Sequence, residues 1–149
     1  MTIKDVTLKD LVVISKLESL IFKINAFTED LIKKLIRENL LFLKLEKNGI
    51  KKQLIGFVIT IKDRKDRANI INFLIDPKHQ HKGYGSILLN RTIQKIKEFN
   101  NIRSIVLNVQ VNNLAAINLY KKFNFQIMQK IENYYQSKED AFLMEMMFI

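Results

Sequence analysis

The sequence predicts an α/β (α+β) domain in which one mixed sheet carries helices on both faces. Apolar residues recur with period two in some segments and at i, i+3, i+4 in others. These segments run in the order β-α-α-β-β-β-α-β-α-β-β, interleaving helices with strands. At 149 residues and 48% apolar, the chain suits a single domain, residues 1–149, with one sizeable core.

Each element has its own signal. Residues 2–7 alternate polar and apolar and read as a short strand. Residues 8–21 place Leu11, Ile14, Leu17, Leu20 and Ile21 at helical spacing. Thr28, followed by Glu29 and Asp30, is an N-cap for a second helix running to about Glu38. Residues 40–45 and 53–61 are strands flanking a turn at Lys47-Asn48-Gly49. A charged run, residues 62–67, separates the latter from a strand over 69–75, which Asp76-Pro77 stops. A loop over 79–83 leads into a helix over 84–99, with Ile87, Leu88, Ile93 and Ile96 inward. Residues 102–109 form a β-branched strand and 113–123 a helix. Strands over 125–134 and 141–149 complete the chain.

Composition excludes several classes. Four Gly and one Pro exclude collagen-like and low-complexity chains, and the apolar fraction argues against disorder. Zero Cys excludes disulfide scaffolds, thiolate zinc sites and a cysteine nucleophile. With only His79 and His81 and no carboxylate cluster beside them, no metal site is expected. The net charge of +10 is spread evenly and comes mostly from Lys, whereas nucleic-acid readers favour Arg for its bidentate fork. Direct nucleic-acid binding is therefore not expected. No segment reaches the length of a membrane span, and the first residues lack the apolar core of a signal peptide. A cytoplasmic location is expected, with the nucleus also compatible.

The informative segment is Asp76-Pro77-Lys78-His79-Gln80-His81-Lys82-Gly83-Tyr84-Gly85, between a buried strand and an amphipathic helix. Glycines let a backbone approach a ligand, and a helix N-terminus offers unpaired N–H groups and a positive dipole end. With Lys82 and Lys78 alongside, the loop suits a pyrophosphate, although a tight strand-to-helix turn explains the glycines equally. A dinucleotide-binding fingerprint fails for want of a third Gly and a downstream acid. A Walker loop fails for want of Gly-Lys-Ser/Thr.

Gln80-His81-Lys82-Gly83-Tyr84-Gly85 resembles the Q/R-x-x-G-x-G/A motif of the GNAT acetyltransferase superfamily. The stretch from Asn112 and Asn113 through Tyr120 to Phe125 is similar to that family's N-x-x-A-x-x-L/F-Y-x-k-x-G-F segment. Asn124 stands at the usual Gly, and Asn tolerates a left-handed helix end best among other residues. Asn133-Tyr134-Tyr135, with Glu139-Asp140-Ala141 and Met144, resembles the signature of protein N-terminal acetyltransferases of the RimI type and the eukaryotic catalytic subunits. The stretch from Phe22 to Phe27 is similar to the loop between those enzymes' first two helices, best in the subunit acting on Met-hydrophobic termini, with Lys23 where Pro is usual.

The resemblance implies the GNAT fold, a mostly antiparallel sheet of about seven strands, and acetyl-CoA as co-substrate. It implies direct acetyl transfer to the α-amino group of a protein N-terminus. The absence of Cys independently removes a thioester enzyme intermediate. Backbone groups of Phe73, Leu74 and Ile75 would hold the acetyl and pantetheine parts, and those of Gln80, His81, Lys82, Gly83, Tyr84, Gly85 and Ser86 the pyrophosphate. Asn113 would contact the pantetheine arm or cap its own helix. Tyr120 matches the general acid, against plain packing of a buried Tyr. Where members of the family carry a Glu or His base on the fifth strand, or a Tyr or Glu on the fourth, this chain has Asn108 and, counting back from Gly83, Asn69. Neither can act as a base, but either can hold a relay water, and an α-amino group ionises near about pH 8. His79 and His81 would face solvent or phosphate. Tyr134 and Tyr135 would line the peptide cleft, against a simple strand pair. Phe22 and Ile24 would form an apolar pocket for the first side chain, against a helix-end core anchor. A ribosome or an auxiliary subunit is compatible as partner. Two alternatives stay open: an enzyme of the same family acting on small amines or amino sugars, and a basic RNA- or ribosome-bound adaptor without turnover.

Overall fold

A computed structural model describes residues 1–148, and in it the expected succession of elements forms one seven-stranded sheet. The strands are β1 (Thr2–Asp5), β2 (Leu41–Lys47), β3 (Gln53–Arg64), β4 (Arg67–Ile75), β5 (Ser104–Gln110), β6 (Gln126–Ile131) and β7 (Ala141–Met147). The helices are α1 (Leu11–Phe22), α2 (Glu29–Arg37), α3 (Tyr84–Lys97) and α4 (Leu114–Lys122). The sheet order is β1-β2-β3-β4-β5-β7-β6, with β4 and β5 parallel and every other pair antiparallel. The α3 crossover between β4 and β5 makes that one parallel pair, as an antiparallel hairpin cannot.

Each face of the sheet buries its own apolar set. Ile14 and Leu17 of α1 and Ile32 and Leu35 of α2 pack on Phe42, Phe57, Ile59 and Leu74. On the other face Leu88, Leu89, Ile93 and Ile96 of α3, with Ile117 and Tyr120 of α4, cover Leu43, Ile70, Ile105 and Leu107. Truncating a fully buried member such as Ile14 or Leu88 to Ala should cost about 2–5 kcal/mol.

Helix ends follow the sequence signals. Thr28 Oγ1 accepts from the Leu31 N–H at 3.1 Å and starts α2. Helix α4 closes with Phe125 N–H on Tyr120 C=O and Asn124 N–H on Lys121 C=O, both 3.0 Å, while Asn124 takes φ 69°. This is the left-handed end expected of that Asn.

Several boundaries and facings differ from expectation. The first strand stops at Asp5, and residues 8–10 make a 3-10 turn before α1 begins. Leu20 and Ile87 sit at helical spacing yet are 66% and 47% exposed; Leu89 fills the inward place near Ile87. The charged run 62–67 does not separate two strands but extends both into a hairpin, because its side chains lie in solvent. Arg67 clamps Asp63 there with bonds of 2.9 and 3.0 Å. Strand β6 ends at Ile131, before Asn133 turns the chain with φ 52°. Helix α3 ends at Lys97 rather than 99, and the expected end of β7 at Ile149 lies outside the described residues.

Candidate active site

Strands β4 and β5 pair only from Arg67↔Ser104 to Ile70↔Leu107. At that point the β3 register jumps from Thr60↔Ile70 to Ile59↔Asn72, leaving Ile71 without a partner. Such a bulge bends its strand and re-aims the following side chains. Here it coincides with a splay between β4 and β5 and turns Asn72 toward α1 and Phe73 toward α4. Two pockets open into the splay, of about 240 Å³ and about 110 Å³. Tyr120, Phe73, Asn113 and Phe22 line both.

The larger pocket runs to the N-terminus of α3. Phe73, Leu74, Ile75, Gln80, His81, Gly83, Tyr84, Gly85, Asn113 and Tyr120 line it, so most of the expected cofactor residues converge; Lys82 and Ser86 do not line it. His81 at φ 63° and Gly83 at φ 83° curl the loop, and the Gln80 amide braces it by donating to Ile75 C=O at 3.0 Å. The first helical N–H groups of α3 have no intrahelical acceptor and lie at the positive dipole end. A Cβ on Gly83 would meet nothing within 4 Å, so that side of the loop is open. The site therefore fits a pyrophosphate. Asp76 N–H bonds Ile55 C=O across β3, and strand alternation gives the Leu74 backbone the same direction. Phe73 and Ile75, not Leu74, turn their backbone groups into the splay. Asn113 caps α4, its Oδ1 accepting from Ala116 N–H at 3.2 Å, while also lining both pockets. His79 is buried rather than solvent-facing and meets the Tyr84 ring edge-on at 6.2 Å, whereas His81 is exposed.

The smaller pocket lies toward the loop between α1 and α2 and the loop between β6 and β7. Asn108 lines it and donates from Nδ2 to the Tyr134 hydroxyl at 3.1 Å. Its Oδ1 is buried with no partner among the described residues. Tyr135 lines the pocket and stands edge-on to Tyr134 at 4.9 Å, in a loop rather than a strand pair. Asn69 does not line the pocket; it belongs to the paired part of β4 and donates to Asp63 at 3.4 Å. The amide in the splay is instead Asn72. Ile24 lines neither pocket and is 63% exposed, because Lys23 at φ 50° swings it outward within a 3-10 turn. Phe27 takes the place expected of Ile24, and with Phe22 forms the apolar wall.

Tyr120 is buried between Phe73 and Phe125, edge-on at 6.1 and 5.8 Å. Burial, with nearby Tyr135, pushes its phenol well above the ordinary tyrosine value. Burial does the same to Tyr135, with Tyr134 and Glu139 adding to it. Both phenols therefore stay protonated at neutral pH and serve as donors. Glu18, from α1, also lines the smaller pocket. Its carboxylate accepts from Phe27 N–H at 2.9 Å and from the Asn72 amide. Sequence reasoning passed over Glu18, Asn72 and Phe27. For Glu18 a signal existed: it occupies the inward phase defined by Ile14, Leu17 and Ile21, where a charge needs a partner. Among the described residues no three His, Asp or Glu side chains gather as a metal-ligand group, and no helix is long and apolar enough to cross a membrane.

Residues 15–125 match the model of the acetyltransferase (GNAT) family. Over 78 residues the chain is 33% identical to an N-alpha-acetyltransferase of Sulfurisphaera tokodaii, covering 52% of this chain and 47% of the relative. It thus spans about half the length of that relative. Over 110 residues it is 32% identical to the ribosomal protein bS18-alanine N-acetyltransferase of Escherichia coli K12, covering 72% and 71% of the two chains. The crystal structure of Ard1 from Thermoplasma volcanium superimposes with a TM-score of 0.89 at 28% identity, covering 99% of this chain and 97% of the other. The chain belongs to the acetyltransferase (GNAT) family.

Proposed function

We propose that the chain transfers the acetyl group of acetyl-CoA to the α-amino group of protein N-termini. The observation that carries this reading is the pair of pockets meeting in one splay, with Tyr120 in the wall of both. One pocket ends on a helix N-terminus suited to phosphates; the other is roofed by two loops and suits the end of a peptide. The names of the Sulfurisphaera and Escherichia relatives, both acetyltransferases of α-amino groups, support it.

In this reading the α3 N-terminus and the loop over 80–86 hold the pyrophosphate, and the open edge of β4 at Phe73 and Ile75 directs the thioester into the splay. Phe22 and Phe27 receive the first side chain, while Tyr134 and Tyr135 flank the peptide backbone. The neutral amine attacks the thioester carbonyl, forming a C–N bond, and the C–S bond breaks on collapse. Tyr120 donates its proton to the leaving sulfur and regains one from the nitrogen. Asn108, with one amide end on Tyr134, orients a water beside the amine. The cofactor is acetyl-CoA, with no metal. Ribosomes or an auxiliary subunit are compatible partners, and the cytoplasm, or the nucleus, is the proposed location.

The experiment is an acetyl-CoA assay with a panel of N-terminal peptides beside polyamines and amino sugars. Peptide turnover supports the proposal, and acetylation confined to small amines sinks it. Salt-dependent RNA binding without any turnover would favour an adaptor instead.

A further inference from the structure

We infer that Glu18 is the proton acceptor of this site, the group that receives the substrate ammonium and removes its first proton. The inference rests on the reading above and names a residue where the polar side chains that β4 and β5 bring to the smaller pocket, Asn72, Asn108 and Gln110, are all amides. Glu18 is the one carboxylate among the residues lining the smaller pocket. It is 1% exposed, an expensive place for a charge unless something cationic or strongly hydrogen-bonding meets it.

The fold is arranged around this carboxylate. Helix α1 delivers it on its inward phase; the bulge at Ile71 turns Asn72 toward it; the Phe27 N–H holds its other oxygen at 2.9 Å. Each oxygen is used once, and a carboxylate oxygen has two acceptor positions. Each therefore keeps an acceptor position beyond its bond to Phe27 or Asn72. Asn108 Oδ1, buried without a partner among the described residues, is a second acceptor lining the same pocket. A carboxylate and an amide oxygen lining one small pocket suit an ammonium, whose three N–H bonds each seek an acceptor. The only other titratable side chains in its lining, Tyr120 and Tyr135, are neutral donors. Burial raises the Glu18 carboxyl, opposed in part by the Phe27 N–H and Asn72 bonds, which moves it toward the amine it must deprotonate.

The proton balance closes. Glu18 takes one proton from the ammonium and later releases it to solvent. The second proton leaves the nitrogen after the C–N bond forms and restores Tyr120, which has given its own to the sulfur. The products are an acetylated amine, free CoA thiol and one proton.

The test compares wild type, Glu18→Gln and Asn72→Ala on whichever amine the wild type accepts best, following kcat/KM against pH. Wild type should rise through an ionisation below that of the substrate amine. Glu18→Gln should lose about 10²-fold or more. Its remaining rise should follow the amine itself, moving when an amine of different basicity is used. Asn72→Ala should shift the wild-type limb to higher pH. Thermal unfolding and CoA binding check that each variant retains its fold and its phosphate site. A folded Glu18→Gln that binds CoA and keeps the wild-type limb overturns the inference. If that variant does not fold, an unmoved limb in Asn72→Ala overturns it. Peptide acetylation by the wild type is read separately, so the function can stand while this assignment falls.

Discussion

Asn25 and Ser137, 112 residues apart in the chain, exchange two hydrogen bonds across the mouth of the smaller pocket. The Asn25 amide donates to Ser137 Oγ at 3.0 Å, and Ser137 N–H donates to Asn25 Oδ1 at 3.1 Å. Ser137 Oγ in turn donates to Glu139 Oε1 at 3.0 Å, and Glu139 accepts from Gln110 and Asn112. The loop after α1 and the loop before β7 are thereby closed over the cleft and tied to the end of β5.

Breaking this clasp should loosen the peptide site and spare the nucleotide site. Asn25→Ala or Ser137→Ala should raise the KM for a peptide several-fold, equivalent to about 1 kcal/mol of lost hydrogen bonding. The KM for acetyl-CoA should not change. Ser137→Ala loses only the bond to its Oγ, whereas Asn25→Ala loses both, so the double variant should be little worse than Asn25→Ala alone. Steady-state kinetics of the four proteins check this; an equal rise in both KM values would contradict it.

Tyr120→Phe should keep the fold and lose the chemistry. The ring retains its edge-on contacts with Phe73 and Phe125, so the melting temperature should move by only a few degrees. Without the buried phenol the thiolate must leave unprotonated, and kcat should fall by about 10²-fold with little change in either KM. Retained kcat would reduce Tyr120 to a packing residue.

How much of this was legible in advance differs along the chain. The strand and helix order was readable because periodicity is a local property, and so were the caps Thr28 and Asn113, whose bonds reach three residues ahead. The phosphate loop was readable because it is one continuous segment. The peptide side was not. Glu18, Asn72, Asn108 and Tyr135 come from three elements and a loop, and they meet because one skipped residue, Ile71, alters the alternation of β4. A bulge leaves no pattern in an apolar strand. That is why Asn69, the amide expected on the fourth strand, lies outside the cleft and Asn72 within it. Ile24 was misplaced for a similar reason: the left-handed Lys23 that turns it outward is not a residue type that announces such a turn.

Two glycines should respond differently to the same substitution. A Cβ on Gly56 would run into Leu74 O and lie 2.7 Å from Ile75 Cδ1, so Gly56→Ala must push β3 and β4 apart. Overpacking of this kind costs about 1–3 kcal/mol or more, and it displaces the open edge of β4. Gly83→Ala meets no atoms, but an L side chain at φ 83° costs about 1–2 kcal/mol. Urea unfolding should rank Gly56→Ala below Gly83→Ala in stability. CoA binding should weaken in both, through β4 in the first and the phosphate loop in the second.

The last prediction concerns stability and pH. Lys44 of β2 bonds Asp10 at 2.8 Å and Glu46 at 3.1 Å, fastening the turn before α1 to the sheet. Burial alone would push the Asp10 carboxyl up, but its bonds from Lys44 and Thr7 and the lysine charge outweigh this and hold it below its ordinary 3.8. Burial likewise works against charged Lys44, and Asp10 and Glu46 more than offset it. A lowered carboxyl contributes stability above its unfolded value and loses it as the pH falls through the folded one. Lys44→Met removes the pairing and leaves the buried Glu46 carboxylate without its cation, so it should destabilise by about 1–3 kcal/mol at neutral pH. The gap should narrow in acid, once wild-type Asp10 is itself protonated. Glu18 slopes the other way, its raised carboxyl lowering stability as the pH rises past 4.5, but it does so in both proteins and cancels from the difference. Urea unfolding of the two proteins between about pH 7 and about pH 3 reads the gap directly. A gap that stays constant into acid would show that Lys44 stabilises by packing its stem rather than by its charge.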